Sequence, residues 1–210
     1  MGSRNAVVIG SWWLLREMEL ANVRARLVTN LGGPVLAVSI DLPASKMDSA
    51  AQGAVRTHAC VCDGGAPAPD CPVHAVLDQL LILRGLFPGR FAAGAADFDL
   101  PLFPDAAGRT VSKYRMTATI VKAATLLGVP LEGPTGGCRI SGHTLRVTGA
   151  QGLTRIGLDI WAVQLLGRWG SSAVFEYVRD SAVSPAAAMS RRFELAEKLR
   201  ELRAAAGTRG

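Results

Sequence analysis

Apolar and polar positions along this chain follow a helical period over most of its length. In residues 8–26, apolar side chains recur at three- and four-residue steps, which is typical of a helix with one buried face. A proline at position 72 suits the first turn of a later helix, and glycines at 128 and 157 suit helix ends. The pattern predicts helices over residues 8–26, 72–86, 110–127, 145–156, 160–166, 171–178 and 185–206.

Two short segments have β-rich composition instead. Residues 35–40 form a continuous apolar run and residues 54–59 a second strand-like stretch, joined by a loop or hairpin tip over 43–53. Segments rich in Gly, Pro and Asp over 60–71 and 87–108 predict loops. The predicted fold class is therefore mainly α with a small antiparallel β-sheet (α+β).

The composition indicates a folded protein that suits a polyanionic partner. The chain has 210 residues, of which 49% are hydrophobic, enough for one domain with a sizeable core. Its net charge of +6 suits nucleic acid, although solvated arginines alone would also account for it. No segment is as long as a membrane span, and the apolar run over 6–15 leads into a charged segment without a cleavage site. We expect an intracellular protein, cytoplasmic or nuclear, with no membrane partner.

Four chemically capable residues are grouped in the last third of the chain. They lie in S-G-H-T-L-R (141–146), L-L-G-R-W-G-S-S (165–172) and F-E-Y-V-R-D (175–180). His143 and Arg146, three positions apart, can lie on neighbouring turns of one helix. Trp169 and Tyr177, eight positions apart, can approach the same place from the following helices.

Together with two upstream segments, this order resembles the catalytic domain of tyrosine recombinases, the phage-integrase family. R-E-M-E-L at 16–20 resembles the family's first arginine block, and L-P-A-S-K-M-D at 42–48 resembles the hairpin that carries its lysine. The resemblance extends over residues 12–180. It implies DNA recombination or integration by strand cleavage and rejoining, with double-stranded DNA as partner and four protomers acting together.

The resemblance also assigns a role to each matching residue. Tyr177 would attack the phosphodiester and form a 3′-phosphotyrosyl link. Arg16 and Arg146 would hold the phosphate oxygens, because a guanidinium is planar and always charged. His143 would act as general base or bind the phosphate, and Lys46 would protonate the 5′-hydroxyl leaving group. This chemistry requires neither a metal ion nor a nucleotide cofactor.

Two further positions depart from this simple assignment. Glu19 is expected to orient the first arginine or cap its helix. The family's sixth residue, His or Trp, usually follows the glycine directly, nine positions before the tyrosine, and Arg168 stands there. Either Arg168 fills that role or Trp169 does, and we favour Trp169 because an indole both packs and donates one hydrogen bond.

The resemblance divides the chain into residues 1–183, a catalytic domain, and residues 184–210, a C-terminal helix or tail. The family's separate DNA-clamping domain, which precedes the first block, is expected to be absent. The C-terminal segment is a candidate for exchange between protomers, or packs on its own domain.

Two other functions fit the sequence less closely. A catalytically inactive or truncated DNA-binding module would bind DNA in a salt-sensitive way without forming a covalent adduct. A zinc-stapled interaction domain would unfold with a chelator and show no affinity for DNA. If the recombinase chemistry holds, relaxation of supercoiled DNA, as in type IB topoisomerases, is a side activity to expect.

A second constellation has metal-ligand spacing. Cys60 and Cys62 are followed by Cys71 and His74, and three thiolates with one imidazole form an accepted structural zinc set. His58 lies just before this set. The alternative is reduced cysteines in a loop, since C-x-C is less usual in zinc sites than C-x-x-C. Bound zinc would staple the loop after the hairpin rather than join the reaction.

Overall fold

The computed structural model describes residues 2–31, 36–42, 53–62, 66–90, 99–133, 136–169 and 173–178. Seven α-helices and three strands occur in this part of the chain. The helices are α1 (Ser3–Trp12), α2 (Glu17–Asn22), α3 (Pro72–Leu86), α4 (Lys113–Leu126), α5 (Thr144–Arg155), α6 (Ile160–Leu166) and α7 (Ala173–Val178). The strands are β1 (Val28–Leu31), β2 (Ala37–Leu42) and β3 (Ala54–Ala59). The predicted helical fold with a small antiparallel sheet is confirmed.

The three strands form one antiparallel sheet in the order β1-β2-β3. Strand β2 lies in the middle and buries Val38, Ile40 and Leu42 on the core. Strand β1 was not predicted, because three of its four residues are exposed and the buried alternation that marks a strand is missing. The hairpin segment over 43–52, with Lys46, and the helix predicted over 185–206 lie outside the described residues.

The single helix predicted over residues 8–26 is wrong. Helix α1 ends at Trp12, and Leu14 adopts a left-handed backbone conformation with φ 53°. Its neighbour Leu15 donates its N–H to the Gly10 carbonyl, 2.8 Å away, which closes the helix end. Apolar side chains continue through this break because both sides of it are buried. Helix α2 then starts again at Glu17, directly after Arg16.

Two glycines bring α1 and α5 into close contact. A Cβ on Gly149 would lie 1.9 Å from the Ser11 carbonyl oxygen, and one on Gly10 would lie 2.4 Å from Leu145 Cδ1. Only glycine therefore allows this approach. Because α5 passes so close to the end of α1, Arg146 lies beside the backbone of Leu14.

The buried apolar side chains form two clusters. The larger one joins α1, α2, α3, α4 and the sheet. The smaller one joins the end of α1 to the last three helices and contains Leu14, Ala150, Leu153, Val163, Trp169, Val174 and Val178. Among the described residues, no helix has the length and apolar character needed to cross a bilayer.

Candidate functional site

Glu19 is the centre of a charged site at the start of α2. Its carboxylate accepts the backbone N–H of Arg16 at 2.8 Å, which caps the helix as expected. The same oxygen, Oε2, accepts a hydrogen bond from Arg146 at 2.6 Å, and Oε1 lies 3.2 Å from the Arg168 guanidinium. One carboxylate therefore binds one backbone amide and two guanidinium groups.

Arg146 is the most deeply buried charge of this site. Its side chain is 3% exposed, and its Nε donates to the Leu14 carbonyl oxygen at 2.7 Å. The left-handed turn at Leu14 directs that carbonyl toward α5. Burial is the largest cause that lowers the pKa of Arg146; Glu19 raises it, and the nearby Arg16 and Arg168 charges lower it further.

The site has more positive than negative charge. Two guanidiniums, those of Arg146 and Arg168, pair with Glu19, and the charge of Arg16 also acts on Arg146. The other acidic side chain of α2, Glu17, is buried and faces Lys113 at 3.5 Å. Arg16 Nε is a buried donor that lacks a hydrogen-bond acceptor within the described part of the chain. A buried donor without an acceptor is costly, so the arrangement suits an anion that would accept from it.

Trp169 connects the charged site to Tyr177. Its ring lies 5.6 Å from the Arg146 guanidinium carbon and 5.6 Å from the Tyr177 ring. The indole Nε1 is also a buried donor without an acceptor among the described residues. Tyr177 is half-buried on α7, and its carbonyl accepts a hydrogen bond from Gln151 on α5 at 3.0 Å.

The structure therefore brings together four of the six residues assigned by sequence: Arg16, Arg146, Trp169 and Tyr177. The remaining described residue, His143, is exposed at the start of α5. It follows Gly142, whose carbonyl accepts the Glu17 N–H at 3.0 Å, so His143 comes near the start of α2. The sixth residue, Lys46, lies outside the described residues.

Arg168 and Trp169, the two candidates for the sixth position, occupy different places in the structure. Arg168 follows helix α6 in a left-handed conformation with φ 54°, and its side chain, 11% exposed, turns to Glu19. Trp169 packs against Arg146 and Tyr177 instead. The arginine after a helix-ending glycine was the signal for Arg168, but its contact with Glu19, 149 positions away, has no sequence signature.

A second site is formed by Cys60, Cys62, Cys71 and His74. Their ligand atoms all lie within 4.8 Å of one another, and the cluster could hold a metal ion. The cysteines follow β3 and precede α3, whereas His74 lies in the first turn of α3. The predicted set thus converges, as its spacing indicated.

Hydrogen bonds to sulfur support this cluster. The Ala68 backbone N–H donates to Cys62 Sγ at 3.2 Å. Burial raises the pKa of Cys71, but hydrogen bonds from the backbone of His74 and Val61 outweigh it and bring the pKa to about 6. A thiolate at neutral pH is the form that binds a metal ion.

His58 does not join the metal cluster. Its ring makes edge contacts with Trp12 and Trp13, at centroid distances of 5.4 and 4.5 Å. Burial is the main cause that lowers the pKa of His58 to about 4, against a hydrogen bond with the Trp12 backbone. It is therefore a neutral packing residue at neutral pH.

Solved structures of site-specific recombinases share this fold. XerH recombinase bound to palindromic difH substrate, in a post-cleavage complex, matches 95% of this chain at 17% identity and a TM-score of 0.59. XerH bound to difH substrate in a pre-cleavage complex matches 83% of it at 16% identity and a TM-score of 0.57. XerA recombinase matches 92% of it at 14% identity and a TM-score of 0.53.

The matches are structural and extend over part of the neighbours' length. This chain spans 46% and 42% of the two XerH chains and 61% of the XerA chain. No protein-family model and no curated protein matches the sequence. With its helices, its three-stranded sheet and these neighbours, the chain has the fold of a tyrosine recombinase catalytic domain.

Proposed function

We propose that this protein carries out site-specific DNA recombination or integration, through strand cleavage and rejoining. The observation that carries the proposal is the surplus of guanidinium charge around Glu19, joined through Trp169 to Tyr177. A phosphodiester in this place would neutralise the surplus and accept hydrogen bonds from buried donors. The fold shared with DNA-bound recombinases supports the same activity.

The reaction needs a nucleophile, phosphate ligands and proton transfer. Tyr177 loses its phenolic proton to His143 and attacks the phosphorus, and the bond to the 5′-oxygen breaks. The leaving 5′-oxygen takes a proton from Lys46, and the strand stays attached as a 3′-phosphotyrosyl ester. Rejoining is the reverse, with a 5′-hydroxyl as nucleophile.

Arg16 and Arg146 bind the two non-bridging oxygens of the phosphate. These oxygens gain negative charge in the transition state, where preorganised cations act most strongly. Arg146 is held ready for this by its bonds to Leu14 and Glu19, and no reorganisation is needed. For the sixth position we propose Trp169, whose Nε1 donor has no acceptor among the described residues and whose ring lies 5.6 Å from both the Arg146 guanidinium carbon and the Tyr177 ring.

Double-stranded DNA is the proposed partner, bound by a homotetramer. The net charge of +6 and the exposed Lys113 and Arg109 side chains suit the phosphate backbone. Residues 1–183 would form the catalytic domain, and residues 184–210 would contact a neighbouring protomer. We further propose a structural zinc ion in the cluster of three cysteines and one histidine, outside the reaction.

The test is capture of a covalent adduct. Nicked suicide duplexes of random sequence would be incubated with the protein, and adducts detected as SDS-resistant protein–DNA species. We expect an adduct with the unaltered protein and none with Tyr177→Phe. Tyr114→Phe is the matched control, because Tyr114 is 83% exposed on α4 and should keep full activity.

A second variant tests the contact between Arg146 and the phosphate. Arg146→Lys keeps the charge but loses the planar fork, so adduct formation should fall on the order of 10²–10³-fold. Adducts that persist in Tyr177→Phe would contradict the assignment of the nucleophile. Salt-dependent DNA binding without any adduct would identify a binding module and refute the enzymatic proposal.

A further inference from the structure

We infer that the cluster of Cys60, Cys62, Cys71 and His74 holds a zinc ion that positions the phosphate-binding site. A tetrahedral metal site would be connected physically to Arg146 through helix α1. This connection rests on the phosphate-binding site proposed above, but not on the cleavage step.

The cluster has the dimensions of tetrahedral zinc coordination. Zn–S and Zn–N bonds of about 2.3 and 2.0 Å place sulfur atoms about 3.8 Å apart and sulfur and nitrogen about 3.5 Å apart. Cys60 and Cys71 sulfurs are 3.7 Å apart. His74 Nδ1 lies 3.8, 3.4 and 3.3 Å from Cys60, Cys62 and Cys71 Sγ. One ion at the centre would reach all four ligands with little movement.

The loop between Cys60 and Cys71 is hydrogen-bonded to both ends of helix α1. Near the start of α1, Arg4 Nε donates to the Pro69 carbonyl oxygen at 3.1 Å. Near its end, Trp12 Nε1 donates to the Asp70 carbonyl oxygen at 2.8 Å. Because Pro69 and Asp70 lie directly before Cys71, a metal ion on Cys71 fixes the acceptors that hold α1.

The same helix end is held on its other side by strand β3. His58, two residues before Cys60, packs edge-on against Trp12 and Trp13. Trp13 Nε1 donates to the carbonyl oxygen of Arg56 on this strand at 3.1 Å. The ion would therefore join the two elements, the loop and β3, between which the end of α1 is held.

The end of α1 leads directly into the guanidinium site. Leu14 follows Trp13, and its carbonyl oxygen accepts the Arg146 Nε hydrogen bond. Two residues further, Arg16 is the N-cap of helix α2. A shift of Trp12 and Trp13 would therefore move the acceptor that orients Arg146, so zinc and a bound anion should stabilise one another.

The first measurement is metal content. Purified protein, denatured and refolded with Co²⁺, should bind one ion per chain and show the near-ultraviolet thiolate-to-cobalt band. Cys71→Ser should lose that band, whereas Cys138→Ser should keep it, since Cys138 is not part of the cluster and its thiol donates to the Ile140 carbonyl oxygen. Absence of a stoichiometric ion would overturn the inference.

The second measurement is coupling, made on the folded zinc protein. Zinc affinity would be measured by equilibrium competition with a colorimetric chelator in sodium sulfate and in sodium chloride of equal ionic strength. Sulfate, a tetrahedral dianion, stands in for the DNA phosphate. We expect sulfate to tighten zinc binding about fivefold or more. Equal zinc affinities in the two salts would refute the connection.

Trp12→Phe tests the connection itself. This variant keeps an aromatic ring but removes the donor to Asp70, so one zinc ion should still bind while the effect of sulfate disappears. Trp161→Phe is the control, because Trp161 is 64% exposed on α6 and should keep the effect. A Trp12→Phe protein that retains the full effect would overturn the proposed path.

The results that would contradict the proposed function differ from those that would contradict the zinc coupling alone. A melting temperature that sulfate leaves unchanged, beside stoichiometric zinc, would contradict the phosphate-binding site and with it the coupling. Coupled zinc and sulfate without any DNA adduct would leave the inference standing and refute only the cleavage step.

Discussion

Replacement of Glu19 by glutamine should destabilise the free protein and strengthen its response to anions. The carboxylate holds Arg146 at 2.6 Å and Arg168 at 3.2 Å, and caps the backbone of Arg16. Removal of one partner from a buried ion pair costs about 3–5 kcal/mol, because the other charge stays buried.

The structure places the Glu19→Gln effect at the lower end of that range. Arg146 is 3% exposed, but Glu19 is 15% and Arg168 11% exposed, so water reaches part of the network. The amide oxygen also keeps one acceptor. We expect a loss of about 3 kcal/mol, which lowers the melting temperature of a protein of this size by about 6–12 °C.

The assay is thermal unfolding in sodium sulfate and in sodium chloride at equal ionic strength. With Glu19 neutral, the guanidinium charges lack their counter-charge, so sulfate should raise the melting temperature of the variant more than that of the unaltered protein. Glu17→Gln is the matched control: Glu17 lies on the same helix and is even more buried, with 6% of its side chain exposed against 15% for Glu19, but it pairs with the exposed Lys113. A loss below 1 kcal/mol, or an equal sulfate effect in all three proteins, would refute the reasoning.

Three further outcomes are expected, the first from the role proposed for Lys46 and the other two from the structure. The Lys46→Ala variant should fail to cleave ordinary DNA but should cleave a 5′-thio-substituted phosphodiester, because a thiolate leaving group needs no acid. If the sulfur-substituted DNA restored cleavage by Lys113→Ala instead, the assignment of Lys46 would be contradicted. The Arg168→Gly variant should melt within a few degrees of the unaltered protein, because glycine suits φ 54°. Its adduct formation should fall about 10²-fold. An unchanged rate of adduct formation would exclude Arg168 from the site. The free energy of unfolding should fall by about 1–3 kcal/mol in Gly149→Ala, because the new methyl group collides with Ser11, and rise by about 0.5–1 kcal/mol in Gly152→Ala, which has open space around it. A calorimetric change of the same sign in both variants would contradict the packing.

Local sequence signals were sufficient where an element is defined by its own residues. Proline at the first turn and an apolar stripe predicted α3 with its observed bounds, and Asp159 caps α6 by accepting the Trp161 N–H at 2.8 Å. They were insufficient at Leu14, where burial on both sides hides a helix break. They were also insufficient for β1, whose exposed residues show no strand period.

The candidate site was predictable to the extent that it is written as a motif. Arg16, Arg146, Trp169 and Tyr177 lie in one region of the structure, while the roles that the resemblance assigns to them stay predictions. The four metal-cluster residues converge as their spacing implies. The ion pairs of the candidate site were not predictable from the sequence. Glu19 pairs with Arg146, 127 positions away, and such a contact depends on the crossing of α1 and α5 rather than on any local pattern.

The smaller apolar cluster has a consequence for the order in which the protein opens. Helix α7 has six residues and α6 seven, too short to persist alone, so both depend on side chains such as Val163 and Val174 packed against α5. The larger cluster under α1 and α3 does not need them. The two helices can therefore detach as one cooperative unit while the rest stays folded. The backbone amides of α6 and α7 should exchange with deuterium sooner than those of α3. Tyr177, on α7, would then belong to a unit that unfolds locally at a lower free-energy cost than α3.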